Sequence, residues 1–315
     1  MKTTLQRITT VNALFMILFC ITISCVNDED IDINIPDDGE NEDPVEEVYI
    51  AIPDGNFEQI LINQGIDSDG KINQLISKPD AEKISELDLD VLRGSAIYDL
   101  TGIEGFVNLK KLSVYQHNID RIDLSSNILL DSVYLIANYI TTIDVSNNPN
   151  LILLDVRSNT LRSIKGISNA THLKNLDASH NFLEEFSTHN EYLEVLHMSH
   201  NDLMSINLNG AIRLRNILLT TNLLTTIDLS TNTSLETLLI LDNKIQNISL
   251  ENNTNVTHLY ISGNSLLNLD VSNNQKLFQL KCEENPDLTC IKIKSGQEIP
   301  SVLLSDTQEL NSDCN

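Results

Sequence analysis

Positive charge is scarce in this chain of 315 residues, which has 20 Lys and Arg against 45 Asp and Glu and a net charge of −25. Removal of residues 1–24 would take away two of the positive charges and leave −27. Proteins that bind nucleic acid depend on clustered Lys and Arg to neutralise phosphate groups. Because so acidic a surface repels a phosphate backbone, we expect no nucleic acid among the partners.

The chain also lacks the short motifs that accompany common catalytic sites. It contains no HExxH, no GxSxG, no glycine-rich phosphate loop and no CxxC pair. Four of its histidines fall on or near one strand-and-turn pattern, namely His117, His180, His197 and His200. A metal site, however, needs three or four converging ligands. We therefore predict no catalytic residues, no cofactor and no metal site, and we interpret the histidines as solvated turn residues.

No hydrophobic run is long enough to form a membrane-spanning helix. The run from Ile8 to Ile23 is shorter than the roughly 20 apolar residues that a span requires. Lys2 and Arg7 precede it, as in a secretory signal peptide. We predict that residues 1–24 are a signal peptide.

The end of that run, Ile21-Thr-Ile-Ser24-Cys25, resembles the lipobox of bacterial lipoproteins, although Thr22 stands where that motif usually has Leu. The resemblance implies that Cys25 becomes the acylated N-terminus and that lipid holds the protein at a membrane surface. The alternative is an ordinary signal peptide that is cut near Ser24 and leaves Cys25 unmodified.

An acidic segment follows the cysteine. Residues 26–48 contain eleven Asp or Glu and no Lys or Arg, so residues 25–48 are predicted to form a disordered tether. One interpretation is a solvated spacer. The other is that acidic residues behind a lipidated Cys resemble the surface-export signal of Bacteroidota lipoproteins, which implies an outer-membrane, cell-surface location. Both interpretations place the protein outside the cytoplasm.

One repeated pattern dominates the remaining chain. It consists of an apolar residue, two variable residues, an apolar residue, one variable residue, an apolar residue, two variable residues and Asn. Its units recur every 21 residues, with a single 22 and a single 20. A repeat of this period indicates a solenoid of stacked coils. The leading apolar residues are Leu109, Leu130, Leu151, Leu173, Leu193, Leu214, Leu235, Val256 and Leu277.

Each unit can be read as a short strand followed by a turn. Leu238 and Ile240 alternate with variable residues as a half-buried strand does, and the amide of Asn243 can bond backbone groups left open at a bend. Stacking would bring these amides into a ladder that satisfies buried backbone groups of neighbouring coils. The ladder residues are Asn138, Asn159, Asn181, Asn201, Asn222, Asn243, Asn264 and Asn285, with His117 in the first unit.

The pattern LxxLxLxxNxL at this spacing resembles the leucine-rich repeat family, and its short period resembles the bacterial branch. The phrase that enters the repeats, together with the ending Leu288-Thr-Cys290…Asp313-Cys314, resembles secreted leucine-rich repeat proteins of Bacteroidota. The resemblance covers residues 84–288 and implies a leucine-rich repeat solenoid. Such a solenoid is a curved right-handed coil with a parallel β-sheet on its concave face and turns, 3₁₀ turns or short extended segments on its convex face. Because no catalytic motif accompanies the repeats, we predict a binding module and no enzyme.

The segments on either side of the repeats are expected to cap the solenoid. Residues 49–83 are predicted to form an N-terminal helical cap, with a helix starting at Asp54 or Asn56. Residues 289–315 are predicted to form a C-terminal cap. Cys290 and Cys314 lie there, and in an oxidising compartment we expect a disulfide between them, worth about 3 kcal/mol.

Function is expected on the concave face, through the side chains between and beside the inward apolar positions. Two groups stand out, which we name the charged centre (Asp155, Arg157, Asp177 and His197) and the apolar group (Leu218, Leu239, Leu241 and Tyr260). Apolar side chains that cluster on a surface usually mark a contact surface. With Tyr134 and Ile136, these ten residues are the predicted partner-binding set.

The sequence therefore predicts a lipid-anchored extracytoplasmic module that recognises a protein or glycan partner, possible roles being adhesion and surface recognition. Two alternatives remain open. One is a structural protein of the cell envelope, and the other is an accessory of a glycan-processing system. The identity of the ligand does not follow from the residues.

Overall fold

The computed structural model describes residues 48–90 and 95–314. The predicted signal peptide, Cys25 and nearly all of the predicted tether lie outside the described residues. Within the described part, no helix is long and apolar enough to cross a membrane.

The N-terminal cap begins with strand β1 (Tyr49–Ala51) and helix α1 (Gly55–Asn63). Asp54 caps the helix, because its Oδ1 accepts hydrogen bonds from the backbone N–H groups of Asn56 at 2.9 Å and Phe57 at 3.2 Å. Of the two starts that the sequence allowed, the one at Asp54 is therefore the correct one. Phe57 on this helix is buried against the first coils of the solenoid.

A buried carboxylate holds the rest of the cap to this helix. Glu58 is fully buried, and its Oε1 accepts bonds from the backbone N–H groups of Asn73 at 2.8 Å and Leu75 at 3.2 Å. The chain there enters strand β2 (Leu75–Ser77), which pairs antiparallel with β1, and then the short helix α2 (Lys78–Glu82).

Eleven short strands form one parallel sheet that runs the length of the solenoid. Each strand hydrogen-bonds to the strand of the next coil, which confirms the predicted solenoid with one strand per coil. Numbered along the chain, the strands are β3 (Glu86–Asp88), β4 (Lys111–Ser113), β5 (Ser132–Tyr134), β7 (Leu153–Asp155), β9 (Asn175–Asp177), β11 (Val195–His197), β13 (Asn216–Leu218), β14 (Thr237–Leu239), β15 (His258–Tyr260), β17 (Gln279–Lys281) and β19 (Ser301–Leu303).

The inward side chains of these strands pair with one another in register. Leu112, Val133 and Leu154, for example, are direct partners on consecutive strands, and all three are fully buried. Alternation along a strand then turns the flanking residues to the opposite side of the sheet. That opposite side is the concave face, and its residue positions are fixed by the strand register.

The convex side is built from short segments, as predicted. It contains one 3₁₀ turn and three small parallel sheets within the described residues. The 3₁₀ turn is Ile103–Gly105, and the strands are β6 (Thr142–Asp144) with β8 (Ser163–Lys165), β10 (Glu185–Ser187) with β12 (Ser205–Asn207), and β16 (Leu269–Asp270) with β18 (Cys290–Lys292) and β20 (Glu309–Asn311).

The predicted asparagine ladder is confirmed at all eight positions. Asn222 is representative: its Nδ2 donates to the carbonyl of Met198 at 3.0 Å, and its Oδ1 accepts from the N–H of Leu203 at 3.0 Å. Both partners belong to the preceding coil. Each ladder amide thus satisfies one buried N–H that the turn would otherwise leave open, and it also donates to a buried carbonyl of the preceding coil.

A second column of buried asparagines lies on the other side of the coil and was not predicted. Asn253 is representative, because its Nδ2 donates to the carbonyls of Leu229 at 3.0 Å and Asn232 at 2.9 Å in the preceding coil. The signal in the sequence is an Asn three residues before the leading apolar residue of many units. The column comprises Asn127, Asn148, Asn190, Asn232, Asn253 and Asn274.

The sheet continues one strand beyond Leu288, where the Asn-marked pattern ends in the sequence. Strand β19 pairs in parallel with β17, and Val302 takes the inward position opposite Leu280. The spacing of Ile299, Val302 and Leu304 repeats the apolar part of the unit, but no Asn follows it.

Two of the three cysteines in the described part are joined in this last region. The sulfur atoms of Cys290 and Cys314 are bonded, and their Cα atoms lie 5.8 Å apart. Cys282 is buried and free. Burial, with a smaller contribution from the charge of Glu283, raises the pKa of the Cys282 thiol to about 12.

Candidate concave-face binding site

The strand register brings seven of the ten predicted binding residues into one row across the sheet, with Tyr134 opposite Asp155. The other three, Ile136, Arg157 and Leu241, each lie two residues after a member of that row. Asp155 pairs with Asp177, and Asp177 pairs with His197. Leu218, Leu239 and Tyr260 then follow on consecutive strands. Because neighbouring strands lie about 4.8 Å apart, the charged centre and the apolar group are adjacent parts of one surface.

Within the charged centre, one arginine lies between two carboxylates. Arg157 Nε is 3.6 Å from Asp155 Oδ2, and Arg157 Nη1 is 3.8 Å from Asp177 Oδ2. On the other side, His197 Nδ1 is 3.6 Å from Asp177 Oδ2. These separations are ion-pair distances that exceed those of direct hydrogen bonds.

The surrounding protein changes the acidity of the two carboxyl groups in opposite directions. Burial raises the pKa of Asp155, and the bonds and charge of Arg157 only partly oppose it. Burial also acts on Asp177, but the interaction with the nearby His197 ring and hydrogen bonds from Ser179 outweigh it and lower the pKa of that carboxyl. The negative charge of Asp155 is therefore less well compensated by hydrogen bonds and nearby groups than that of Asp177.

The apolar group is less exposed than the sequence suggested. All four of its residues are half-buried, although none of them belongs to the core. Side chains on neighbouring strands are close enough to cover one another, and this explains why Leu218 and Leu239 lose exposure without pointing inward.

Polar contacts fix the orientation of the aromatic member of the apolar group. The hydroxyl of Tyr260 donates to Gln279 Oε1 at 2.5 Å. The Nζ of Lys281 lies 4.2 Å from the centre of the Tyr260 ring, a distance at which a cation is attracted to the ring face. Tyr260 is thus held in place before any partner binds, which lowers the entropy cost of binding.

A third column of outward side chains completes the concave face and was missed from the sequence. It lies one residue before the inward apolar residue of each strand, and alternation places it on the same side as the predicted columns. Leu153 and Val195 add apolar surface beside the charged centre. The column comprises Lys111, Ser132, Leu153, Asn175, Val195, Asn216, Thr237, His258 and Gln279.

The interpretation of the histidines as solvated turn residues is wrong for His117. It is buried, its Nδ1 accepts from the N–H of Ile97 at 3.0 Å, and its Nε2 lies 2.6 Å from the carbonyl of Leu89. His117 therefore bonds the same two kinds of backbone group as a ladder asparagine. Only the neutral tautomer with hydrogen on Nε2 makes both bonds.

His180 and His200, by contrast, are exposed at the turns and stack on each other, with ring centres 4.3 Å apart. Both have positive φ values, of 57°. Among residues 48–90 and 95–314, no three His, Cys, Asp or Glu side chains are grouped as a metal site would require.

Apolar side chains are also exposed away from the concave face. Phe182 and Met204 have exposed fractions of 46% and 56%, and the Arg162 guanidinium lies 5.9 Å from the centre of the Phe182 ring. These residues provide a matched comparison surface for experiments on the concave face.

Comparison with known proteins gives results for the fold only. No protein-family model and no curated protein matches the sequence. Among solved structures, the functional domain of InlJ from Listeria monocytogenes aligns with a TM-score of 0.67 at 24% identity. That match covers 82% of this chain and 62% of the internalin, so the chain spans less than two thirds of it.

Two further structures share the architecture at lower similarity. The leucine-rich repeat domain of APL1B aligns with a TM-score of 0.50 at 18% identity, over 69% of this chain and 61% of that one. The fold is a leucine-rich repeat solenoid. Toll from Drosophila, in the structure of its complex with Spatzle, aligns with a TM-score of 0.55 at 18% identity, over 71% of this chain and 31% of that one.

The leucine-rich repeat fold commonly serves as a protein-binding module. Function in such a module depends on the side chains that a given protein displays on the shared frame.

Proposed function

We propose that this protein is a lipid-anchored extracytoplasmic module that recognises a partner protein on its concave face. The observation that carries the proposal is the continuous surface made by the charged centre and the apolar group. Interfaces depend on apolar and aromatic anchors next to polar groups that set specificity. Leu218, Leu239 and Tyr260 supply such anchors on three consecutive strands.

A protein partner fits this surface better than RNA or a glycan does. Solved complexes of the fold include one with a protein, Toll with Spatzle, and one of TLR13 with single-stranded RNA. The net charge of −25 here disfavours a phosphate backbone. Leucine side chains offer no hydrogen bonds to sugar hydroxyl groups, so the apolar group favours apolar side chains of a protein.

Anchoring at Cys25 completes the proposal. The apolar run that ends at Ile23, the Ser24-Cys25 pair after it and the acidic residues behind that pair support a lipoprotein of the outer membrane with its repeats exposed at the cell surface. A recognition module at that location would meet proteins of other cells or of the surrounding matrix.

The decisive experiment replaces both Leu239 and Tyr260 by Ser in the full chain and measures binding to proteins captured from partner cells. These two side chains are half-buried outside the core, so the variant should fold while its affinity falls about tenfold or more, equivalent to about 1.4 kcal/mol per factor of ten. Capture alone would not support the proposal, because an acidic protein can retain basic proteins without specificity.

Two control variants define the result. Replacing Phe182 and Met204 by Ser removes exposed apolar surface elsewhere and should leave binding unchanged. Leu238→Ala removes a fully buried side chain and should instead lower the free energy of unfolding by about 2 to 5 kcal/mol. A partner that binds the Leu239, Tyr260 variant as tightly as the wild type would place the binding surface away from the concave face.

A further inference from the structure

The two carboxylates of the charged centre have oxygen atoms that the protein leaves without a close donor. The Oδ1 atoms of Asp155 and Asp177 accept backbone bonds, from Arg157 N at 3.3 Å and Ser179 N at 2.9 Å. The Oδ2 atoms face Arg157 and His197 at 3.6 to 3.8 Å. A charge-assisted hydrogen bond to a carboxylate is about 2.7–2.9 Å long, so both Oδ2 atoms can accept a further donor.

Charge at this place is also unbalanced. Asp155 and Asp177 have side chains that are only 13% and 20% exposed, whereas the single arginine beside them is 48% exposed. Partly buried charges interact more strongly than solvated ones, since less water screens them. The centre contains two carboxyl groups and a single guanidinium, and burial raises the pKa of Asp155.

The concave face is also negative overall when the leading coil, which contains strand β3, is included. Across the three columns extended to that coil, acidic residues outnumber basic ones by six to three. The acidic residues are Glu86, Asp88, Asp90, Asp155, Asp177 and Glu283, and the basic ones are Lys111, Arg157 and Lys281.

The strand register fixes the distance from the charged centre to the apolar group. Asp155 lies three strands from Leu218, and Asp177 lies three strands from Leu239. At about 4.8 Å per strand, each separation is about 14 Å. Residues i and i+4 of an extended peptide point to the same side and are about 13 Å apart.

We propose that the concave face binds an extended segment of a partner protein, with an arginine or lysine at Asp155 and Asp177 and an apolar side chain four residues away at Leu218, Leu239 and Tyr260. The inference rests on the proposed function and adds to it the chemistry and spacing of the ligand. The basic side chain supplies the donors that the two Oδ2 atoms lack. The segment crosses the strands of the sheet, so that its two anchors meet the two groups at once.

The test uses a displayed library of random 12-residue peptides selected on the full chain. Enriched peptides should carry Arg or Lys four positions from Leu, Ile, Met, Phe or Tyr. Their affinity should fall about tenfold or more when Asp155 and Asp177 are both replaced by Asn, as expected for lost hydrogen bonds to charged groups. It should also fall with rising salt for the wild type, and much less so for that variant.

A matched control separates this effect from a general loss of acidity. Asp202 and Asp287 are exposed and lie outside the three concave columns, so replacing both by Asn removes the same charge and should leave affinity unchanged. Asn retains the Oδ1 acceptor that bonds the backbone N–H groups of Arg157 and Ser179, and the melting temperature verifies folding. If the double variant melts lower than the wild type, the two single variants take its place.

The remaining outcomes distinguish the two proposals. Peptides that lose affinity for the Leu239→Ser, Tyr260→Ser variant but bind the Asp155→Asn, Asp177→Asn variant normally would overturn this inference and leave concave-face binding intact. Peptides indifferent to both variants would overturn both proposals. Selection without enrichment of a basic residue over the starting library would overturn the inference as well.

Discussion

The two asparagine columns make different bonds, and this difference predicts unequal effects of substitution. In Asn222→Ala, the N–H of Leu203 loses its partner, whereas the carbonyl of Met198 loses one bond and keeps another, from Asn201 Nδ2 at 3.1 Å. Leu203 is fully buried, so water cannot replace the bond to its N–H. Leaving a buried polar group unsatisfied costs about 1 to 3 kcal/mol, and the lost bond to the carbonyl adds about 0.5 to 1.5 kcal/mol to the loss in the free energy of unfolding.

Asn253→Ala in the second column should cost less. Its Nδ2 donates to two carbonyls, but its Oδ1 is buried and has no hydrogen-bond partner. Removing that side chain therefore also removes an unsatisfied acceptor, and no backbone N–H is left open. We expect a loss of about 1 to 2 kcal/mol.

Two measurements decide between these values. Urea denaturation followed by circular dichroism gives the free energy of each variant, and hydrogen exchange reports the Leu203 amide, which should exchange faster in Asn222→Ala alone. Asn252→Ala is the control, because Asn252 is exposed and should change stability by less than about 0.5 kcal/mol. Equal losses at Asn222 and Asn253, or an unchanged Leu203 amide, would refute the assignment of separate roles to the two columns.

Three predictions concern the cysteines. Cys25→Ala should release the protein from membranes and abolish acyl labelling, and unchanged membrane association would contradict the proposed lipid anchor. Mass spectrometry of unreduced peptides should find Cys290 joined to Cys314, whereas free thiols at both positions would exclude that disulfide. The Cys282 thiol, buried and with a pKa of about 12, should resist iodoacetamide at pH 8 in the native protein and react after denaturation, because the thiolate is the nucleophile; rapid native labelling would contradict its burial.

The amino-acid sequence determined the fold through its local periodicity. Inward positions such as Leu238 and Ile240 could be assigned because alternation within a strand is a property of neighbouring residues. The ladder at Asn243 could be assigned because a turn leaves backbone groups open wherever it occurs. The positions of the charged centre and the apolar group followed from the same alternation, since each repeat sets the direction of its own side chains.

The last repeat unit, at the C-terminal end, could not be predicted from the same periodicity. Ile299, Val302 and Leu304 have the spacing of a further unit, but without an Asn the repeat was not recognised. Gln308 instead donates to the carbonyl of Cys282 at 3.1 Å. A longer amide can thus bond a carbonyl of the preceding coil from a different position, which a search for Asn at fixed spacing does not detect.

Only the tertiary structure decided the properties that depend on contacts between coils. His117 is a buried ladder residue because stacking brings Leu89 and Ile97 to its ring nitrogens. Leu218 and Leu239 are half-buried because a neighbouring strand lies about 4.8 Å away. The pKa of Asp155 rises because adjacent coils remove water from its carboxyl group. The burial of a side chain and the compensation of its charge depend on neighbours that are distant in sequence. A repeat pattern therefore predicts the direction of a side chain, whereas only the folded structure determines its surroundings.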